Sequence, residues 1–235
     1  MKLLLHCNEC SQDSLKPLLV EIEDQGIYRV SCENGHSFMH TLSNAKFEIL
    51  FEMALLALAD GYTREAVATL AAAVEEFYRF FIKIVLVKRG MYEGEKFNQL
   101  AALWRVVNLS ERQLGAFSVL HFLEEGTVAP FPDRWSTEFR NEVIHKGKIP
   151  KYYDVVQFGE KITKFLVPLW RKYRQGHDPL LAIAMDVVGN FKDEDQSRSK
   201  TGSWYPTAIS RLVHLEDPSF QQAIDFAREN TFISK

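Results

Sequence analysis

Apolar residues recur at helical spacing through most of the chain. Phe47, Leu50, Phe51, Ala54, Leu55 and Leu58 follow the i, i+3, i+4 pattern and predict a helix opening after Ser43 or Asn44 and ending at Asp60-Gly61. Thr63 caps a longer helix that carries Val67, Leu70, Ala71, Val74, Phe77, Tyr78, Phe81 and Val85 and reaches Gly90. Ala66, Ala68, Ala71, Ala72 and Ala73 leave room on it for close neighbours, and Glu75 and Glu76 lie at its middle. These two acids read as a solvated face, or as a partner for Arg140 further on.

More helices are predicted over residues 97–107, from Ser110 to Gly126, and over residues 135–146. Ser110-Glu111-Arg112-Gln113 has the spacing of a capping box. Pro130 and Pro132 keep the segment before Asp133 out of any helix. Tyr153, Val156, Ile162, Phe165, Leu166 and Leu169 pattern a last long helix, bent or broken at Pro168. No strand pattern or internal repeat interrupts residues 43–175, so the expected class is mainly α, an antiparallel helical bundle.

The two ends read differently. Residues 18–22 and 27–30 look like strands flanking Glu23-Asp24-Gln25-Gly26, which predicts a β-hairpin. Past a boundary at Gly176-His177-Asp178-Pro179, residues 180–188 are apolar but short, and residues 192–203 read as a polar loop. Order returns at Trp204-Tyr205-Pro206, and Asp217-Pro218 opens a final helix through Phe220, Ile224 and Phe226. The expected division is 1–42, 43–175 and 176–235, the last without an assigned role.

Composition narrows the function classes. Of 235 residues, 46% are hydrophobic and 25% charged, ordinary for a globular protein. A net charge of −3 excludes a broadly basic nucleic-acid coat, so a polyanion would have to be held by a local patch. The apolar runs at 53–59 and 80–87 fall far short of the roughly 20 residues that span a bilayer. Met1-Lys2-Leu3-Leu4-Leu5 meets His6 and Cys7 too soon to form a signal-peptide core, and a cytoplasmic location is expected.

The three cysteines all lie within the first 32 residues, and an odd count does not pair into disulfides. Their spacing suits a metal: Cys7-x2-Cys10, then twenty-one residues, then Cys32-x3-His36. Each short spacing forms a knuckle around one side of a tetrahedral ion, and two knuckles close a structural zinc shell with no open catalytic position. Gly35 suits the tight second knuckle, whereas His6 and His40 break the spacing and rank lower as ligands. The module resembles a zinc ribbon.

The chemistry-bearing stretch is Phe139-Arg140-Asn141-Glu142-Val143-Ile144-His145-Lys146-Gly147-Lys148-Ile149-Pro150. Gly147 and Pro150 end the helix that carries it. Asn141 and His145 are i and i+4 and share a face, while Arg140 and His145 stand about 140° apart around the axis. His145 sits in the last turn, at the negative end of the helix dipole. An arginine, an amide and a group titrating near neutrality make a small cationic cluster suited to phosphodiester chemistry. By residue type alone, a surface arginine and a core or capping histidine are the simpler reading.

Arg140-Asn141-x3-His145 within a late helix, with Lys-Gly-Lys-Ile-Pro after it and the long helix pair over residues 47–90 before it, resembles the HEPN family (higher eukaryotes and prokaryotes nucleotide-binding). The resemblance covers residues 43–175. It implies metal-independent RNA cleavage by 2′-OH attack, with His145 as general acid or base, Arg140 on the phosphate and Asn141 orienting the histidine or bonding the phosphate. It also implies no catalytic metal, a homodimer sharing one composite site, and RNA contacts from Lys146, Lys148 and Lys151. A toxin or phage-defence effector restrained by an antitoxin or regulatory protein fits that branch. The alternative is a non-catalytic HEPN and zinc-ribbon module that binds RNA, nucleotide or a protein partner.

Overall fold

The structure is a computed structural model that describes residues 1–7, 9–10, 18–92, 94–130, 133–176, 199–229 and 233–234. Its helices are α1 (Lys46–Ala59), α2 (Thr63–Lys88), α3 (Gly94–Val106), α4 (Ser110–Glu125), α5 (Arg134–Lys146), α6 (Tyr152–Gly176), α7 (Ala208–Leu212) and α8 (Phe220–Glu229). The strands are β1 (Lys2–Leu5), β2 (Leu18–Glu21), β3 (Ile27–Ser31), β4 (Ser37–Leu42), β5 (Ser199–Ser203) and β6 (Ile233–Ser234). The protein is therefore mainly helical, as the periodicity predicts. No helix among the described residues is long and apolar enough to cross a membrane.

α2 is the central post. It contacts α1, α4, α5 and α6, and its buried stripe runs from Ala66 through Leu70, Phe77 and Phe81 to Val85. Aromatic rings fill the space around it. Phe47 meets both Phe77 and Trp170 edge-on, with centroids 5.2 and 5.3 Å apart, and Phe117 packs against Phe81 at 4.9 Å. α6 runs unbroken through Pro168, so of the bend or break expected there the break does not occur. Pro168 lies on the exposed face, where water can take the Lys164 carbonyl that the missing N–H leaves free.

The expected hairpin between residues 18–22 and 27–30 does not form. β2 pairs antiparallel with β1 (Leu3 opposite Val20, Leu5 opposite Leu18), and β3 pairs antiparallel with β4 (Tyr28 opposite His40, Val30 opposite Phe38). Alternation in Lys2-Leu3-Leu4-Leu5 buries Leu3 and Leu5, so the run that resembles a truncated leader supplies β2 with its partner. The Cys32–His36 knuckle is itself the β3–β4 turn, closed by the Cys32 N–H donating to the His36 carbonyl at 3.0 Å. Residues 23–26 instead carry the chain from one sheet to the other, with Gly26 at a φ of 62°.

The C-terminal segment completes both sheets and caps the bundle. β6 adds antiparallel to β1, and β5 adds parallel to β4, so residues 199–203 are a strand and not the polar loop expected. Residues 177–198 lie outside the described residues, including most of the expected boundary at 176–179 and the apolar run at 180–188. Buried polar groups fasten the chain beyond β5. The Asn44 side chain exchanges two 2.8 Å hydrogen bonds with the Tyr205 backbone, and the Glu52 carboxylate accepts the Ala208 N–H at 2.7 Å at the start of α7. The Glu160 carboxylate accepts the Phe220 N–H at 2.7 Å at the start of α8, so both helix starts are capped from the bundle.

Candidate functional site

α5 owes its position to both of its ends and to one buried stripe. Asp133 is its N-cap, accepting the Ser136 N–H at 2.9 Å and the Ser136 hydroxyl at 2.8 Å. The ammonium of Lys161, together with those two donors, holds the Asp133 carboxyl down at about 2. Phe139 and Val143 are buried, and Trp135 stacks on Phe139 with planes 8° apart. At the other end Gly147 adopts a φ of 70°, and its N–H and that of Lys148 both reach the Glu142 carbonyl.

With Phe139 and Val143 anchored inward, Arg140, Asn141 and His145 line one cleft of about 490 Å³. α2 forms the facing wall with Val74, Glu75 and Tyr78, α4 contributes Ser110, Glu111 and Leu114, and Phe158 and Ile162 of α6 line it as well. Arg140 Nη2 donates to Glu75 Oε1 at 2.5 Å, and Nη1 to Asn141 Oδ1 at 3.4 Å. Of the two acids at the middle of α2, Glu75 is therefore the one that engages the arginine, and Glu76 pairs with Arg79 at 2.8 Å. Arg140 and Glu75 are each about one-third exposed (30% and 34%), a setting where the pair orients the guanidinium more than it stabilises the fold.

His145 is exposed on the cleft rim and makes no hydrogen bond among the described residues. Arg140 and His145, about 140° apart around the helix axis, nonetheless line the same cleft. Lys146, Lys148 and Lys151 are exposed and do not line it. Lys148 is tied to Glu142 at 2.7 Å and lies over the Phe139 ring.

Sequence reasoning took Tyr78 only as part of the apolar stripe of α2 and missed it as a cleft residue. It is only 6% exposed, its ring packs on Phe117 and Phe165, and its hydroxyl makes no hydrogen bond among the described residues. Burial, with the Glu75 carboxylate adding to it, pushes the phenol well above its ordinary range, so it remains a donor. Its position three residues past Glu75 places both on one face of α2, a signal available in the sequence. The α4 wall carries no such signal. The capping box expected there does not form: Leu109 is the N-cap, Ser110 lies inside the helix, and buried Gln113 donates to the Asn108 carbonyl at 3.4 Å.

In the N-terminal region the Cys7, Cys10, Cys32 and His36 ligand atoms lie within 4.8 Å of one another and could hold a metal ion. A tetrahedral zinc with bonds of about 2.0–2.3 Å sets its ligand atoms roughly 3.5–3.8 Å apart. Cys10 Sγ is 3.6 Å from Cys32 Sγ, and His36 Nδ1 is 3.5 Å from both Cys10 and Cys32 and 3.8 Å from Cys7. Three sulfurs and an imidazole at this spacing fit zinc. Burial pushes the Cys32 thiol up, but the N–H groups of His36 and Asn34 together with the Cys10 and Cys7 side chains outweigh it and bring it down to about 7, towards the thiolate a metal requires. The Asn34 amide donates to Cys10 Sγ at 3.3 Å, which orients that ligand. His6 and His40 stay out of the cluster, and His40 is buried against Tyr205. No family model, curated protein or solved structure matches the chain.

Proposed function

We propose that the chain is a HEPN-type endoribonuclease that cleaves RNA without a catalytic metal. The observation that carries this reading is the convergence of Arg140, Asn141 and His145 on one cleft, with Glu75 setting the guanidinium in place. In the reaction the ribose 2′-oxygen attacks the adjacent phosphorus, the 2′-O–P bond forms and the P–O5′ bond breaks. His145 takes the 2′-OH proton, and in a homodimer the second copy's histidine protonates the leaving 5′-oxygen. Arg140 binds the non-bridging oxygens and offsets the charge that builds on them, and Asn141 donates to the same phosphate. The products are a 2′,3′-cyclic phosphate and a 5′-hydroxyl. DNA, which lacks the nucleophile, is not cut. Lys146, Lys148 and Lys151 extend the cationic surface beyond the cleft for flanking phosphates. Cys7, Cys10, Cys32 and His36 hold a structural zinc. A toxin or defence role, with an antitoxin or regulator as partner, belongs to the same reading.

The test is cleavage of RNA by zinc-loaded protein in magnesium-free buffer containing EDTA. His145→Ala and Arg140→Ala should each abolish cleavage with unchanged circular dichroism and melting temperature. Cleavage that survives both substitutions overturns the proposal. One observation bears on the second reading, a binding module without chemistry: the Glu75 carboxylate takes one terminal nitrogen of the Arg140 guanidinium, which leaves fewer donors for a phosphate. That reading requires RNA binding that His145→Gln leaves intact and no turnover in any variant.

A further inference from the structure

We propose that Glu48 is the proton-operated catch of a latch that holds residues 204–212 against α1 and α6: its neutral carboxyl keeps the segment closed, and its carboxylate releases it. The inference does not depend on what the α5 cleft does. Asn44, Glu48 and Glu52 are spaced by four residues at the start of α1, so the two acids share a helix face. Asn44 exchanges its two hydrogen bonds with the Tyr205 backbone, and Glu52 accepts the Ala208 N–H. Glu48 stands between these two fastenings and is 0% exposed. One of its oxygens accepts the Ala45 N–H at 3.0 Å, while the other, Oε1, is buried without a hydrogen-bond partner.

Two donors on α6 that act on this carboxyl are also left over: the Trp170 indole N–H and Nη1 of Arg174, both buried and without a hydrogen-bond partner. The Arg174 guanidinium lies instead over the ring of Trp204 at 5.1 Å and that of Trp170 at 6.0 Å, so it fastens the first residue of the segment. That division suits a neutral carboxyl. A buried carboxylate with a bare oxygen has to be solvated or paired. Either water reaches it as residues 204–212 lift, or Arg174 turns to it and leaves the Trp204 ring, and both weaken the hold. The other charges on the packed elements are engaged elsewhere. Arg171 of α6 donates to the Val213 and Leu215 carbonyls, and Glu76 pairs with Arg79 on α2. Arg211 of α7 lies over Phe226, Arg228 pairs with Asp225 on α8, and buried His40 of β4 meets Tyr205. Burial raises the Glu48 carboxyl from 4.5 to about 7, although the Ala45 N–H and Arg174 pull it down. The hold is therefore complete below pH 4.5 and is lost as pH rises to about 7, by up to about 300-fold in the opening equilibrium.

Hydrogen exchange of the full zinc-loaded chain, read by mass spectrometry between about pH 5.5 and pH 8, tests this. Rates are expressed as protection factors, which removes the pH dependence of the exchange chemistry itself. Amides within residues 205–212 should lose at least tenfold in protection across that range. At pH 8 they should be at least tenfold less protected than those of α2, because the segment opens without the bundle. Glu48→Gln, which keeps the shape of the neutral acid and does not titrate, should hold the protection constant. Arg174→Met removes the cation that favours the carboxylate, so its protection should go on falling between pH 7 and pH 8, where the wild type levels off. A segment as protected as α2 overturns the inference, as does protection that does not change with pH. So does a fall that survives Glu48→Gln, or an Arg174→Met curve that levels off where the wild type does.

Discussion

Gly159 on α6 lies against the ring of Phe220, the first residue of α8. A Cβ built at position 159 would stand 2.3, 2.4 and 2.5 Å from three atoms of that ring. Phe220 is fully buried and packs edge-on against Phe51 at 6.0 Å, so it cannot swing into solvent. Inside a helix Gly→Ala alone stabilises by about 0.5–1 kcal/mol, because alanine loses less backbone entropy on folding. Overpacking a closed core costs about 1–3 kcal/mol. The clash outweighs the propensity, and Gly159→Ala should destabilise by about 1–2 kcal/mol, lowering the melting temperature by roughly 2–8 °C for a chain of this size. Phe220→Ala should itself cost about 3–5 kcal/mol, and in that background the sign should reverse: Gly159→Ala becomes neutral or stabilising. Thermal melts of the four proteins decide it. A melting temperature raised by Gly159→Ala in the wild-type background would refute the reasoning, because it would mean α8 does not press on α6.

Three further outcomes are expected. Burial raises the Glu48 carboxyl from 4.5 to about 7, so between those pH values folding takes up a proton and stability falls as pH rises, by about 3 kcal/mol across the interval. Urea unfolding at pH 5 and pH 8 should show that slope flattened by the same amount in Glu48→Gln, and equal slopes would contradict it. Glu75→Ala should cut RNA cleavage at least tenfold while moving the melting temperature by no more than about 2 °C, since an ion pair this exposed adds little to stability. Elemental analysis should give close to one zinc per chain, lost on Cys32→Ser together with thermal stability; less than about half an equivalent in the wild type would reject the cluster as a metal site.

Much of the helical frame was legible because the helices announce themselves with long apolar stripes and clear stops. α1, α2 and α5 start and end within two residues of where periodicity and capping place them. The ligand set Cys7, Cys10, Cys32 and His36 was equally legible, since knuckle spacing constrains it locally. Strand pairing was not. The partner of Ile27-Tyr28-Arg29-Val30 comes after the knuckle instead of before it, and four residues of β1 are too few to reveal a period. Ser199-Lys200-Thr201-Gly202-Ser203 has no strand pattern at all, and its pairing with β4 is set by the surrounding fold. Glu48 and Glu52 look like a solvated helix face but are fully buried, because their carboxylates hold backbone: the N–H of Ala45 and that of distant Ala208. The cleft was half legible, its α5 motif visible and its α4 wall hidden, since α4's place against α2 depends on Phe117 reaching Tyr78 and Phe81.

The two sheets draw their outer strands from the far end of the chain, Phe38 aligning with Ser199 and Leu3 with Ile233. During synthesis, β1–β2 and β3–β4 therefore emerge early and wait, each with a bare edge, while the whole bundle is made. Closing such long loops is slow, and unpaired edges in the interval invite pairing with other chains. A metal held by Cys7, Cys10, Cys32 and His36 needs only the first 36 residues. It would clasp the end of one sheet to the turn of the other from the outset, holding the pieces in register until the last strands arrive.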